Sequence, residues 1–173
     1  AEHGPGGKSW LVTTDENFAI EVVNELENLV KNSSRGENIK STFETEGYCA
    51  LVDDLDSVVA VVDVVAPEHL QVMTTDPAEV AKKVSNAGAI FCGNWSPASL
   101  GDYLAGPSHV LPTAGTARFA GALTVNDFMR DIHIVTSTEK ALNRLGPHIF
   151  NFARSEGLES HADSIRLRGI ENE

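Results

Sequence analysis

The segment whose residues are best suited to form a functional site runs from Gly101 to Thr113 and reads GDYLAGPSHVLPT. Its glycines and prolines impose an irregular backbone, which is costly unless it positions a functional group. Asp102 supplies a carboxylate and His109, seven residues later, supplies an imidazole. Both groups can bind zinc, but a zinc site needs three or four ligands. Any zinc site would therefore have to be assembled from distant parts of the chain.

A second candidate is the pair Glu68–His69, which follows Ala66-Pro67 at the junction from a predicted helix into a predicted strand. Folds of the α/β class place functional side chains at such junctions. A carboxylate next to an imidazole offers two groups that can exchange protons near neutral pH. The alternative is a turn with two solvated polar residues, and the pattern alone does not decide between the two interpretations.

The neighbours of the remaining polar residues give less indication of a functional site. His161 follows Glu156-Gly157-Leu158 just inside a helix start, a pattern typical of a corner between two helices. His133 and His148 have neither a carboxylate nor a glycine-rich neighbourhood. The acidic stretch 53–56 is typical of a helix N-terminus, where the helix dipole favours negative charge. The sequence has no GxGxxG, P-loop or HExxH motif, so it carries no familiar dinucleotide or zinc-protease signature.

The elements that would position these residues alternate between strands and helices. Hydrophobic periodicity predicts strands at 10–13, 48–52, 69–73 and 89–92 and helices at 15–31, 53–66, 76–85 and 96–104. We expect a capping box from Thr13 to Glu16 at the first helix, and an end of the helix at 53–66 before Pro67. Short strands between longer helices indicate an α/β fold with a largely parallel sheet.

The C-terminal part of the sequence has a different pattern. Residues 105–124 are rich in Gly, Pro, Ser and Thr and are too long for a simple connector. Beyond them we predict an extended run at 132–136 and helices at 138–156 and 159–168, with Gly146-Pro147 as an interruption. The chain is therefore divided into an α/β part, residues 1–124, and an extended and helical appendage, residues 125–173.

Composition excludes several classes of protein. The 173 residues are 42% hydrophobic, as in an ordinary globular domain, and no apolar run approaches the ~20 residues of a membrane span. The net charge of −12 would repel phosphate backbones, which argues against nucleic acid as a partner. Cys49 and Cys92 lie far apart in apolar runs, so we predict two buried thiols in a reducing compartment rather than a disulfide.

Taken together, six segments resemble the histidinol dehydrogenase family in order and spacing from Ala1 to about Arg168. They are AEHGP at 1–5, APEHL at 66–70, NAGAIF at 86–91, GDYLAGPSHVLPT at 101–113, GTARF at 115–119, and EGL with His161 at 156–161. The resemblance implies that residues 1–124 are the C-terminal part of an incomplete Rossmann-like domain. It also implies a cytoplasmic homodimer in which the appendage reaches across to the partner subunit, so that active sites are shared.

Enzymes of this family oxidise L-histidinol to L-histidine through an aldehyde in two NAD-dependent steps, the last steps of histidine biosynthesis. By resemblance, Glu68 would activate the water that hydrates the aldehyde, and His69 would be the general base. His3, Asp102 and His161 match three of the four ligands of a zinc ion that orients the substrate. The positions that match substrate contacts are His3, His69, Asp102, His109, Glu156 and His161.

Two features of the sequence depart from the family pattern. The chain begins at Ala1, one residue after the position of the Gln that serves as the fourth zinc ligand. The family's NAD-binding domain would lie in an N-terminal half that this sequence does not contain, so we expect no cofactor-binding residue here and a fragment inactive alone. Two alternatives stay open: a related dehydrogenase of another small alcohol, such as a sulfonated diol, and a non-catalytic binding or assembly domain. Glu156 favours a cationic substrate over an anionic diol.

Overall fold

The computed structural model describes residues 1–4 and 6–169, which divide into two units, the first ending at Phe128 and the second beginning at Met129. Over those residues the fold is mixed α/β, with four short strands and seven α-helices. In chain order they are β1 Ser9–Thr13, α1 Glu16–Asn32, α2 Gly36–Glu46, β2 Gly47–Leu51, α3 Leu55–Val65, β3 His69–Val72, α4 Pro77–Lys83, β4 Ala89–Cys92, α5 Ala98–Tyr103, α6 Glu139–Ser155 and α7 Glu159–Arg166. None of the described helices combines the length and the apolar character that a membrane crossing requires.

The four strands of the first unit form two separate parallel pairs. β1 pairs with β2 in the register Ser9 to Gly47, and β3 pairs with β4 in the register His69 to Ala89. The predicted α/β class with parallel pairing is confirmed. Instead of one sheet, however, the described residues form two sheets of two strands each, since strand pairing depends on contacts distant in sequence.

Helix α3 stops before Pro67 as the sequence predicts, but it begins at Leu55, later than the predicted start at 53. Its end determines where the candidate site starts. The Asp54 carboxylate accepts a hydrogen bond from the Ser57 backbone N–H at 2.7 Å, which lowers the pKa of Asp54. The helix stops before Pro67 at Ala66, which is fully buried and takes the left-handed conformation with φ of 49°. His69 opens β3 only three residues later, so the helix end and the strand start are tightly linked.

The core of the first unit lies between the β3–β4 pair and the helices that flank it. Val62, Ala66, Val72, Val80 and Phe91 are its buried apolar side chains. The β1–β2 pair is less covered, and there Trp10 stacks on Tyr48 with ring centroids 4.3 Å apart while both remain about two fifths exposed. The better-packed pair is therefore the one that carries Glu68 and His69 at its edge.

In the second unit, α6 and α7 pack together around Ala153, Ala162 and Ile165. The predicted interruption at Gly146-Pro147 is wrong, because α6 runs through Pro147 without a break. The Thr138 hydroxyl caps the helix by accepting from the Ala141 N–H, and packing against α7 supports the helix beyond the proline. These contacts act against the destabilisation of roughly 3 kcal/mol that a proline causes inside a helix.

Three local predictions differ from the structure. Asp15, and not Thr13, caps α1 by accepting from the Phe18 N–H, because the helix begins two residues later than a Thr13 cap requires. Cys49 is exposed, because few described residues cover the face of β2, and Cys92 on β4 is only half-buried. Residues 132–136 form no strand within the described part of the chain.

Candidate functional site

Two of the predicted site residues from distant parts of the chain meet in the first unit. His69 opens β3, and Asp102 lies on α5, which begins after the extended Pro97. The Nε2 atom of His69 lies 3.3 Å from Oδ1 of Asp102, and each side chain is 27% exposed. The approach is close enough for an ion pair when the imidazole is protonated, but its angle is not that of a hydrogen bond. Nε2 therefore has no hydrogen-bond partner among the described residues.

The ring of Phe91 supports the imidazole of His69. The two rings are nearly parallel, with an interplanar angle of 21° and centroids 6.0 Å apart, and Phe91 is only 9% exposed. Gly101 makes room for this ring, because a Cβ at that position would lie 2.5 Å from Cζ of Phe91. Sequence patterns assigned no role to Phe91, and its place within the NAGAIF segment was the only available signal.

The backbone of Glu68 is held by the strand next to it. The Glu68 carbonyl accepts from the Ala89 N–H at 2.9 Å, and the Pro67 carbonyl accepts from the Gly88 N–H at 2.8 Å. A Cβ at Gly88 would lie 2.5 Å from the backbone carbonyl oxygen of Glu68. The backbones at Glu68 and Gly88 could therefore not approach this closely without glycine. The half-buried carboxylate of Glu68 has no hydrogen-bond partner in the described part of the chain, which leaves it free to bind water or substrate.

His109 and His69 line the same small cavity, whose walls also include Phe91, Gly101 and Ser108. Its volume of about 80 Å³ accommodates about two or three waters at ~30 Å³ each. A larger groove of about 1100 Å³ lies between α1, α2 and the β1–β2 pair. None of the predicted site residues lines this groove, whereas two of them, His69 and His109, line the small cavity.

The other predicted residues lie elsewhere in the chain. His3 is exposed in the turn before β1. In the second unit, Glu156 caps the C-terminal end of α6 and His161 lies in the first turn of α7, both exposed to solvent.

A metal ion needs at least three of these side chains together. Within residues 1–4 and 6–169 no group of three or more His, Cys, Asp or Glu side chains could hold a metal ion. The predicted ligands His3, Asp102 and His161 therefore do not form a complete zinc site in the described chain.

Comparison with known proteins gives consistent matches over nearly the whole chain. A family model described as histidinol dehydrogenase matches residues 1–169. The curated histidinol dehydrogenase of Prochlorococcus marinus subsp. pastoris is 44% identical over 97% of this chain and 39% of its own length. The one from Thermus thermophilus is also 44% identical, over 97% of this chain and 40% of its own length.

A solved structure gives the same result in three dimensions. The crystal structure of histidinol dehydrogenase from Elizabethkingia anophelis superimposes with a TM-score of 0.90 at 30% identity, over 97% of this chain and 39% of that chain. The chain spans about two fifths of the length of the relatives it matches and corresponds to their C-terminal portion.

Proposed function

Because the chain belongs to the histidinol dehydrogenase family, we propose that it supplies the C-terminal part of an enzyme that oxidises L-histidinol to L-histidine. The observation that carries the proposal is the approach of His69 to Asp102 at 3.3 Å, beside a cavity that His109 also lines. An imidazole nitrogen without a hydrogen-bond partner, next to a carboxylate, is suited to accept a proton.

The overall reaction removes two hydrides and consumes one water. NAD, when bound, supplies the hydride acceptor for both oxidations. In the first oxidation His69 accepts the hydroxyl proton of histidinol as hydride leaves the carbon, which yields the aldehyde. Imidazoles take up and release protons readily near neutral pH, so the same residue can serve again in the second oxidation.

Glu68 has a different task in this proposal. Its carboxylate takes a proton from the water that adds to the aldehyde carbon, and the resulting hydrate is then oxidised to the acid. The position of Glu68 is suited to this role, because its backbone is held by β4 while its carboxylate has no protein partner. The side chain is thus held in place through its backbone, while no protein group is bound to its carboxylate.

Zinc enters the proposal only as a group whose ligands would come partly from the first unit and partly from outside it. Asp102 and His3 would supply ligands from this unit, and we infer that His161 of the partner subunit supplies another in a homodimer with shared sites. Since no three of the candidate ligands form a group in the described chain, no catalytic step is assigned to the metal. The substrate contacts proposed for His109 and for the partner subunit's Glu156 depend on the same assembly.

The test compares the 173-residue chain with a reconstituted enzyme, defined as this chain preceded by the N-terminal part of the Thermus thermophilus relative. We expect no steady NADH formation from histidinol by the chain alone, because its cavity and metal ligands are incomplete. The reconstituted enzyme should form two NADH per histidinol consumed, as measured by absorbance at saturating NAD. Steady turnover by the chain alone would contradict the proposed inactivity, and a folded reconstituted enzyme without turnover would contradict the proposed function.

Removing the charge of Glu156 tests whether the substrate is the cationic histidinol or another alcohol, such as a sulfonated diol. Replacing Glu156 with Gln in the reconstituted enzyme is expected to raise the KM for histidinol about 10- to 100-fold, because a charge-assisted hydrogen bond to the ammonium group is worth ~1.5–3 kcal/mol. The matched control is Glu159→Gln, an exposed carboxylate that lies 3.4 Å from Arg154 and has no proposed substrate contact. An unchanged KM in E156Q, or faster turnover of a sulfonated diol by the unmodified enzyme, would favour the alternative substrate class.

A further inference from the structure

We propose that Arg118, in the GTARF segment, is a positioning residue that clamps the C-terminal end of α3 and thereby holds the backbone that presents Glu68 and His69. The inference rests on the proposed function, because it takes Glu68 and His69 to carry the chemistry described above. Arg118 itself has no proposed contact with substrate or cofactor.

The clamp begins at the last carbonyl groups of α3, which have no partners within the helix. The Val64 carbonyl accepts a hydrogen bond from Nη2 of Arg118. The neighbouring Asp63 carbonyl accepts from Nδ2 of Asn86 at 3.0 Å. Two side chains distant in sequence, from the NAGAIF and GTARF segments, thus converge on one helix end.

The second half of the clamp fixes Arg118 to its own loop. Nη1 donates to the Gly115 carbonyl at 2.8 Å, so one guanidinium bridges the helix end and the loop. Gly115 has φ of +79°, and a Cβ there would lie 2.5 Å from Nη1. Arginine suits this place because its planar fork binds two carbonyls together and its positive charge faces the negative end of the helix dipole.

Only a short, constrained segment separates the clamp from the site. After Val64 the chain passes through the left-handed, fully buried Ala66 and reaches Glu68 and His69 within five residues. The carbonyls of Pro67 and Glu68 are bound to the backbone that leads into β4. A displacement of Val64 would therefore be passed on to His69, and a misplacement of ~1 Å can lower a rate by up to ~100-fold.

Arg118 is exposed, so its removal leaves no empty space in the core and the fold should persist. The readout is accordingly the environment of His69. In NMR spectra of the 173-residue chain, the ring protons of His69 should carry a ring-current shift from Phe91, and the spectrum of His69→Asn assigns those signals. Arg118→Ala is expected to move the His69 signals, whereas Arg35→Ala, a matched exposed arginine of the same unit, should leave them in place.

Kinetics of the reconstituted enzyme separate positioning from binding. Arg118→Ala is expected to lower kcat about tenfold with KM within about twofold, because the base is misaligned while substrate contacts remain. Arg118→Lys should recover part of the loss, since an ammonium can donate to the Val64 carbonyl but cannot form the fork. Arg35→Ala should have wild-type kcat.

The proposed positioning role of Arg118 is contradicted if R118A leaves both the His69 signals and kcat unchanged. It is also overturned if the loss of activity equals the loss of folded protein measured by thermal unfolding. Should R118A fail to fold, Arg118→Gln retains a single donor and is expected to give the same signal shift. If the unmodified reconstituted enzyme does not oxidise histidinol, the proposed function fails, and the NMR comparison still tests the clamp independently.

Discussion

Replacing His69 with asparagine is expected to lower the rate of histidinol oxidation by the reconstituted enzyme about 10³-fold, within the range that general bases contribute. Asparagine keeps a polar, uncharged side chain but cannot accept a proton at neutral pH. Both oxidations should slow, because each requires a proton to leave as hydride departs. The measurement is single-turnover NADH formation from histidinol and, separately, from the aldehyde.

The matched control for this variant is His133→Asn, since His133 is an exposed histidine of the second unit with no proposed role. Its rate should stay within twofold of the unmodified enzyme. A loss below tenfold in H69N would mean that another group takes the proton. The nearest group to examine would then be Asp102, whose Oδ1 lies 3.3 Å from Nε2 of His69.

Replacing Gly101 with alanine is expected to disrupt the site by displacing the ring of Phe91, which packs against His69. The new Cβ would lie 2.5 Å from Cζ and 2.6 Å from Cε1 of Phe91, so the buried ring must move away from its place against His69. Overpacking of this kind costs ~1–3 kcal/mol, and the displaced imidazole should lower kcat about 100-fold. Alanine otherwise favours a helix over glycine by ~1 kcal/mol, so a net loss of stability would identify the clash as the cause.

Thermal unfolding and kcat of G101A are compared with those of Gly121→Ala. A Cβ at Gly121 meets no atom within 4 Å, and this glycine is not among those with positive φ. The control should therefore keep its activity and its unfolding temperature. Unchanged stability and activity in G101A would show that the Phe91 ring has room to move and does not hold His69 in place.

Local sequence patterns predicted much of the frame around the site. The hydrophobic spacing of α3 and Pro67 after it correctly indicated where the helix ends, and the acidic residues before it indicated its start to within two residues. Strand β4 was predicted with its observed bounds, Ala89–Cys92. These features depend on residues that are neighbours in sequence, so the sequence alone indicates them.

Contacts between distant residues were not predictable in the same way. His69 and Asp102 are 33 positions apart, and no local periodicity indicates that β3 and α5 bring them together. The stacking of Phe91 on His69 and the reach of Arg118 to Val64 depend on the folded backbone. The division of the strands into two pairs and the exposure of Cys49 likewise depend on which elements cover each strand. The roles of all the predicted site residues stay predictions from the resemblance: Glu68, His69, Asp102, His3, His109, Glu156 and His161.

The stacking of Trp10 on Tyr48 makes the β1–β2 pair optically visible. The chain has two tryptophans, and the other, Trp95, is 94% exposed. Its emission should already resemble that of tryptophan in water, so it contributes a nearly constant background when the protein is denatured. Changes in fluorescence and in near-ultraviolet circular dichroism will then come chiefly from Trp10, and they will report the separation of β1 from β2 rather than events at His69.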